Sequence, residues 1–118
     1  MTKYFGNAFS INMVKDFPAK ILIKKIHDDD YEFTLFKIQN AVQDEEIISA
    51  IGHDQLAKIL DVPLNRITVS LEKNDELYIA QYRGPRLEEG ATSLPEGAKI
   101  ELYVVTIEWK KSNYKKRI

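Results

Sequence analysis

Apolar and polar positions along the chain change period several times, and each change marks an element. Lys3–Gly6 reads as a short strand, followed at 7–13 (Asn7-Ala8-Phe9-Ser10-Ile11-Asn12-Met13) by a polar-studded turn. Residues 19–26 alternate imperfectly and are rich in Ile, which predicts a strand. Asp28, Asp29 and Asp30 then offer N-caps for a helix over 31–40, with Phe33, Leu35, Phe36, Ile38 and Ala41 at helical spacing. Residues 45–51 form a short apolar run that favours strand, and Gly52 breaks it. His53 and Asp54 open a second helix, with Leu56, Ala57, Ile59 and Leu60 on one face and Pro63 as its stop.

Residues 66–72 alternate cleanly, Ile67, Val69 and Leu71 against Thr68 and Ser70, and predict a strand. Lys73-Asn74-Asp75 has hairpin-turn composition, which makes 76–82 the partner strand. A Gly- and Pro-dense loop spans 84–97, and a connection that long in a compact domain is more often functional or disordered than idle. Residues 99–109 form the last and longest strand. The expected architecture is one α/β domain over 1–109, a mixed, mostly antiparallel sheet of about five strands flanked by helices, with a short tail at 110–118.

The 118 residues are 44% hydrophobic and 30% charged, the balance of an ordinary globular domain. A chain of this size buries roughly two-thirds of its unfolded surface, enough for a core without staples. No apolar run approaches the roughly 20 residues of a membrane span, and the first residues lack a secretory pattern, so a cytoplasmic protein is expected. Having no cysteine excludes a disulfide scaffold, a thiolate nucleophile and Cys-ligated metal, and two histidines leave no multi-His site. The net charge of −1 argues against coating duplex nucleic acid. Charge is uneven, however: residues 110–118 hold five cations and no acids. Removing those five from the 17 cations leaves 12 against 18 acids, so the first 109 residues carry −6. A basic end on an acidic body is ordinarily a solvated terminus; its other use is contact with nucleic acid or an acidic partner.

Phosphate-cradling, dinucleotide and nucleophile-elbow motifs are missing, and the EE, DDD and DE runs lack metal-ligand spacing. The candidate chemistry is therefore a short list. His53 stands between a strand-breaking glycine and a helix start, where an imidazole either meets an anion or simply begins the helix with no task. Arg66 and Arg86 flank elements and suit phosphate bidentately, or pair with acids. Gln81 precedes the long loop, Glu88 and Glu89 lie in it, and Asn7, Ser10 and Asn12 fall in the first turn. Turn residues of that kind cap backbone by default and contact phosphate or ribose in the alternative. His27, beside three aspartates, reads as structural or exposed.

Taken in order, Asn7 to Met13, Ile51-Gly52-His53-Asp54-Gln55-Leu56-Ala57, Asn65-Arg66-Ile67, and Gln81 with Gly84-Pro85-Arg86-Leu87-Glu88-Glu89-Gly90-Ala91-Thr92 resemble the viral ring nucleases. These small proteins of archaeal viruses, bacteriophages and mobile elements counter type III CRISPR defence by degrading cyclic tetra-adenylate. The similarity covers about 5–105. Each motif alone is weak, while four in order at the right intervals are specific. The resemblance implies that His53 is catalytic, with Arg86 and Glu89 from the loop, and that Asn7, Ser10, Asn12, Arg66 and Gln81 contact the ligand. The family often has Pro where Glu88 stands, so the loop acid is Glu89 or Glu88; spacing from Arg86 and the adjacent Gly90 favours Glu89.

The mechanism so implied is metal-independent and needs no cofactor. The 2′-hydroxyl of the ribose attacks its own phosphodiester, and His53 protonates the departing 5′-oxygen. Arg86 neutralises charge on the transition state. The candidate roles of Glu89 are orienting His53, raising its pKa, or accepting the 2′-hydroxyl proton. Products would be linear di-adenylates ending in 2′,3′-cyclic phosphate. The ring has two-fold symmetry, which suits a homodimer with one His53 per subunit facing opposite phosphodiesters. Two other classes compete: a cyclic-oligoadenylate binding protein that does not cut, and a nucleic-acid-associated interaction protein that uses the tail.

Overall fold

The computed structural model describes residues 1–108, so Trp109 and the basic tail at 110–118 lie outside the described residues. Strand β1 is Lys3–Gly6, β2 Lys20–Lys25, β3 Ile48–Ala50, β4 Glu76–Arg83 and β5 Lys99–Glu108; helix α1 is Tyr31–Gln43 and α2 Asp54–Leu60. One five-stranded sheet runs in the order β2-β5-β4-β1-β3. β1 lies parallel to β3 and β4, while β5 lies antiparallel to β4 and β2. The antiparallel ladders are the longer, as expected of a mixed, mostly antiparallel sheet.

The sheet has an apolar cluster on each face. Phe5, Ala80, Ile100 and Leu102 pack with Ile38 of α1 and Leu56, Ala57 and Leu60 of α2. Leu77, Ile79, Val105 and Ile107 pack on the other face under Val14, Val69 and Leu71, which belong to irregular segments. Alternation in β4 and β5 supplies both clusters, since successive side chains of a strand point to opposite faces.

Helix α1 runs three residues beyond its expected end, and its face differs from the sequence expectation. Ile38 is buried and Leu35, Ala41 and Val42 pack against the core, whereas Phe33 and Phe36 are exposed. The three aspartates form a 3₁₀ turn ahead of α1, capped by His27, whose Nδ1 accepts from the Asp29 N–H. Helix α2 ends with Asp61 in the left-handed region, its N–H and that of Val62 returning to Lys58 and Ala57 carbonyls. Pro63 follows, as expected.

Residues 66–72 form no strand; a single bridge joins Leu71 to Val14. The expected hairpin is likewise not formed, because β4 pairs with β1 and β5 instead. The cause is the turn between them. Asp75 is buried, and its carboxylate accepts from the Glu72 N–H at 2.9 Å and the Thr2 N–H at 2.8 Å. With Asn74 in the left-handed region, this turn delivers β4 beside the N-terminal strand. The preceding segment is left to cross the sheet face, burying Val69 and Leu71 and leaving Ile67 exposed.

Candidate functional site

β1, β3 and β4 run in the same direction, so their carboxyl ends meet at one end of the sheet. Open α/β sheets bind ligands at that end, where the loops leave the strands. Asn7 follows β1, Gly52 and His53 follow β3, Gln81 sits near the end of β4, and the long loop leaves β4 at Gly84. The topology thus brings together residues as far apart in the chain as Asn7 and Gln81, 74 positions.

His53 is the N-cap of α2. Its extended backbone and its Nδ1, which accepts from the Leu56 N–H at 3.3 Å, start the helix. A neutral imidazole that accepts at Nδ1 carries its proton on Nε2. The ring therefore does what an Asn or Ser does at a helix start, with Nε2–H turned away from the cap.

The residue before it is clamped from both sides. The Gly52 N–H donates to Asn7 Oδ1 at 3.1 Å, and the Gly52 carbonyl accepts from Arg66 Nε at 3.0 Å. Asn65 adds a bond from its N–H to the Ile51 carbonyl and one from its side-chain amide to the Ser49 carbonyl. Asn7 and Arg66 therefore fix where β3 hands the chain to His53. The clamp uses Asn7 Oδ1 and Arg66 Nε and leaves Asn7 Nδ2 and the Arg66 terminal nitrogens out of it.

Asn7, His53 and Gln81 line one cavity of about 160 Å³ with Leu56, Ala80, Tyr82 and Leu87. Arg86, Glu88 and Glu89 line a neighbouring one of about 570 Å³ with Asp54, Gln55 and Leu87. Leu87 is the shared wall, so the loop lies against the first turn of α2. Glu88 and Glu89 both face the Arg86 side of that wall. Their turn closes with a bond from the Ala91 N–H to the Glu88 carbonyl, and Gly90 at φ 80° supplies the left-handed position it requires.

The loop's entry is as constrained. A Cβ on Gly84 would come within 2.6 Å of Ala98 Cβ and 2.9 Å of the Tyr82 hydroxyl. The Tyr82 hydroxyl donates to the Pro85 carbonyl, pinning the first residues of the loop back onto β4.

Ser10 and Asn12 lie apart from this arrangement. Ser10 caps a 3₁₀ turn at Ile11–Met13, its hydroxyl accepting from the Asn12 N–H at 3.3 Å, and neither residue lines the His53 cavity. Sequence reasoning did not find Tyr82 and Leu87. The one signal for either is an aromatic placed two residues before Gly84-Pro85.

No helix among the described residues is long and apolar enough to cross a membrane. Nor do the described residues contain a cluster of three or more His, Asp or Glu able to hold a metal ion.

The chain shares its fold with B116 of Sulfolobus turreted icosahedral virus, with a TM-score of 0.72, 32% identity, and coverage of 90% of this chain and 99% of B116. It is also 35% identical over 65 residues to uncharacterized protein 26 of Sulfolobus islandicus filamentous virus (isolate Iceland/Hveragerdi). That match takes in 50% of this chain and spans about half, 54%, of the viral relative. The STIV B116-like family pattern matches residues 3–104, and the chain belongs to that family.

Proposed function

We propose that the protein is a ring nuclease that cleaves cyclic tetra-adenylate and so shuts off type III CRISPR signalling. The observation that carries the reading is the meeting of His53, Asn7 and Gln81 in one cavity, with Arg86 and the loop acids across Leu87, at the carboxyl end of three parallel strands.

The chemistry follows from the residue types. A ribose held with its 2′-oxygen in line with the departing 5′-oxygen supplies its own nucleophile, and alignment lowers the barrier by several kcal/mol. The 2′-hydroxyl gives its proton to a base, the Glu89 carboxylate or water, as its oxygen bonds to phosphorus; the bond to the 5′-oxygen breaks, and His53 delivers the proton that oxygen needs. Such a donor is worth about 10²–10⁴-fold. The acid form of His53 carries protons on both nitrogens, so Nδ1 can no longer accept from Leu56. Loading the catalytic proton and capping α2 exclude each other. A phosphate beside the ring stabilises the protonated form and shifts that balance toward the acid.

Ordinary small-molecule sites measure about 300–1,000 Å³. The His53 cavity falls below that range and takes one sugar–phosphate unit, not a ring of four. A two-fold homodimer presents two such cavities to a ligand of matching symmetry, cutting it into two di-adenylates with 2′,3′-cyclic phosphate ends.

The test is incubation with labelled cyclic oligoadenylates of several ring sizes, with and without EDTA, read by chromatography. Conversion of the tetramer to di-adenylate in both conditions is expected. A ring that stays intact for hours while bound tightly would make the protein a binding module, and a ring that does not bind would end both readings.

A further inference from the structure

At the same end of the sheet, on the face away from the helices, three cations converge on one carboxylate. Glu101 is 7% exposed. Its Oε2 lies 2.7 Å from Lys25 Nζ and 3.4 Å from Lys99 Nζ, and its Oε1 accepts from Arg83 Nε and, at 3.3 Å, from the Tyr103 hydroxyl. Lys25 also reaches Asp28 at 3.8 Å, but Asp28 is largely exposed and screened. Among the described residues the group carries three positive and two negative charges.

Its place in the sheet connects it to the His53 site. Arg83 stands directly opposite Lys99, and Gln81 directly opposite Glu101, in the β4–β5 ladder. Like charges opposite one another in a ladder are unfavourable, and a fold using Glu101 only as a brace has no need to place Lys99 there. The ladder carries Gln81, a lining residue of the His53 cavity, straight into the cation group. From β3 to β5 is three strand spacings, roughly 15 Å within the sheet. Because His53 caps α2 on the helix face, a ligand reaching both must also pass over the carboxyl-end edge of the sheet, which is the reach of an oligonucleotide and not of a single phosphate.

We propose that Lys25, Arg83 and Lys99 form a second anion position, taking a phosphodiester of the same oligoadenylate whose scissile linkage lies at His53, with Glu101 as the resident counter-ion. The inference rests on the ring-nuclease reading and extends its ligand track across β4 and β5. Glu101 remains ionised throughout, since its cations hold its carboxyl down at about 2. It keeps the cations in place while no ligand is bound.

The sign of one substitution separates this from a purely structural network. Glu101→Gln removes the competing anion, so cyclic tetra-adenylate should bind about five- to ten-fold tighter. A brace that lost its carboxylate would bind equally or more weakly. Arg83→Ala and Lys99→Ala should each weaken binding several-fold. Each should also flatten the salt dependence of log Kd by about 0.7, the share of one phosphate contact on a single strand. These two side chains are more than half exposed, so they serve where Glu101→Gln does not fold. Unchanged salt slopes in both, with the wild type binding and cutting the ring, would overturn the second anion position alone. Failure of the wild type to bind any cyclic oligoadenylate would overturn the reading at His53 and this proposal with it.

Discussion

Asp75 and Glu89 are both acidic residues in tight turns beside β4, at opposite ends of the same strand. Asp75, before the strand, is buried, and both its carboxylate oxygens accept backbone N–H groups that tie the turn to the N-terminus. Glu89, after the strand, is exposed on the wall of a cavity beside an arginine. The turn around it is closed by backbone and by Gly90, so its side chain is not needed to hold the loop. The Asp75 side chain completes its turn, whereas the Glu89 turn is completed by backbone and leaves the carboxylate exposed. His53 stands between these cases, since its Nδ1 holds a helix and its Nε2 takes no part in that cap.

The sharpest way to break that contrast is to separate the two nitrogens of His53. Asparagine is among the best N-caps, so His53→Asn should keep the melting temperature close to wild type while cleavage falls about 10²–10⁴-fold. That loss is roughly 3–5 kcal/mol in the barrier. His53→Ala should lose the same activity and, in addition, about 1 kcal/mol of stability with the cap. Cleavage that survives in the Asn variant would remove His53 from the chemistry.

The opposite effect is expected at the other end. Asp75→Ala leaves two backbone N–H groups without their acceptor, a loss of about 2–4 kcal/mol, read from the urea midpoint. Activity per folded molecule should stay unchanged, because Asp75 lies at the far end of β4 from the cavity. Gly84→Ala comes next and touches both functions. The added Cβ has no room against Ala98 and the Tyr82 hydroxyl, so strain of about 1–3 kcal/mol is expected. The loop carrying Arg86 should shift with it, lowering cleavage at temperatures where the protein remains folded.

The contrast also explains what the sequence could and could not reveal. β1, β4, β5 and α2 were legible because each is local: an alternating or helical stretch ended by Gly, Pro or a capping residue. Residues 66–72 alternate as cleanly as any strand, yet their apolar side chains are buried by crossing a sheet face and not by pairing. Period alone does not distinguish the two, and the carboxylate that decides between them, Asp75, acts through Thr2, 73 residues away. The helical period of α1 likewise could not tell a core face from an exposed one, so Phe33 and Phe36 were read with Ile38. The motifs name Asn7, Ser10, Asn12, His53, Gln81 and Arg86 alike; Asn7, His53 and Gln81 line one cavity and Arg86 the neighbouring one, while the Ser10 hydroxyl accepts from the Asn12 N–H in a turn of its own. The clamp of Asn7 and Arg66 on Gly52 joins three segments and has no sequence signature.

Glu101 sharpens the comparison at its weakest point, because it lies at the functional end yet is used much as Asp75 is. Its folded carboxyl is held at about 2, first by its hydrogen bond with Lys25 and then by that with Arg83, against an ordinary value of 4.5. The sign follows from linkage: a depressed carboxyl contributes stability above its unfolded value, and that contribution fades as pH falls from about 4.5 toward 2. The effect is expected to be the smallest of the four, since the cations are substantially exposed and salt screens them. It is best read as a difference. The melting temperature of the wild type should exceed that of Glu101→Gln at neutral pH, and the gap should close across that acidic window, faster at high salt. A gap that stayed constant with pH would show that the carboxylate contributes by packing and not by charge. The cations around it would then have no reason to be held there.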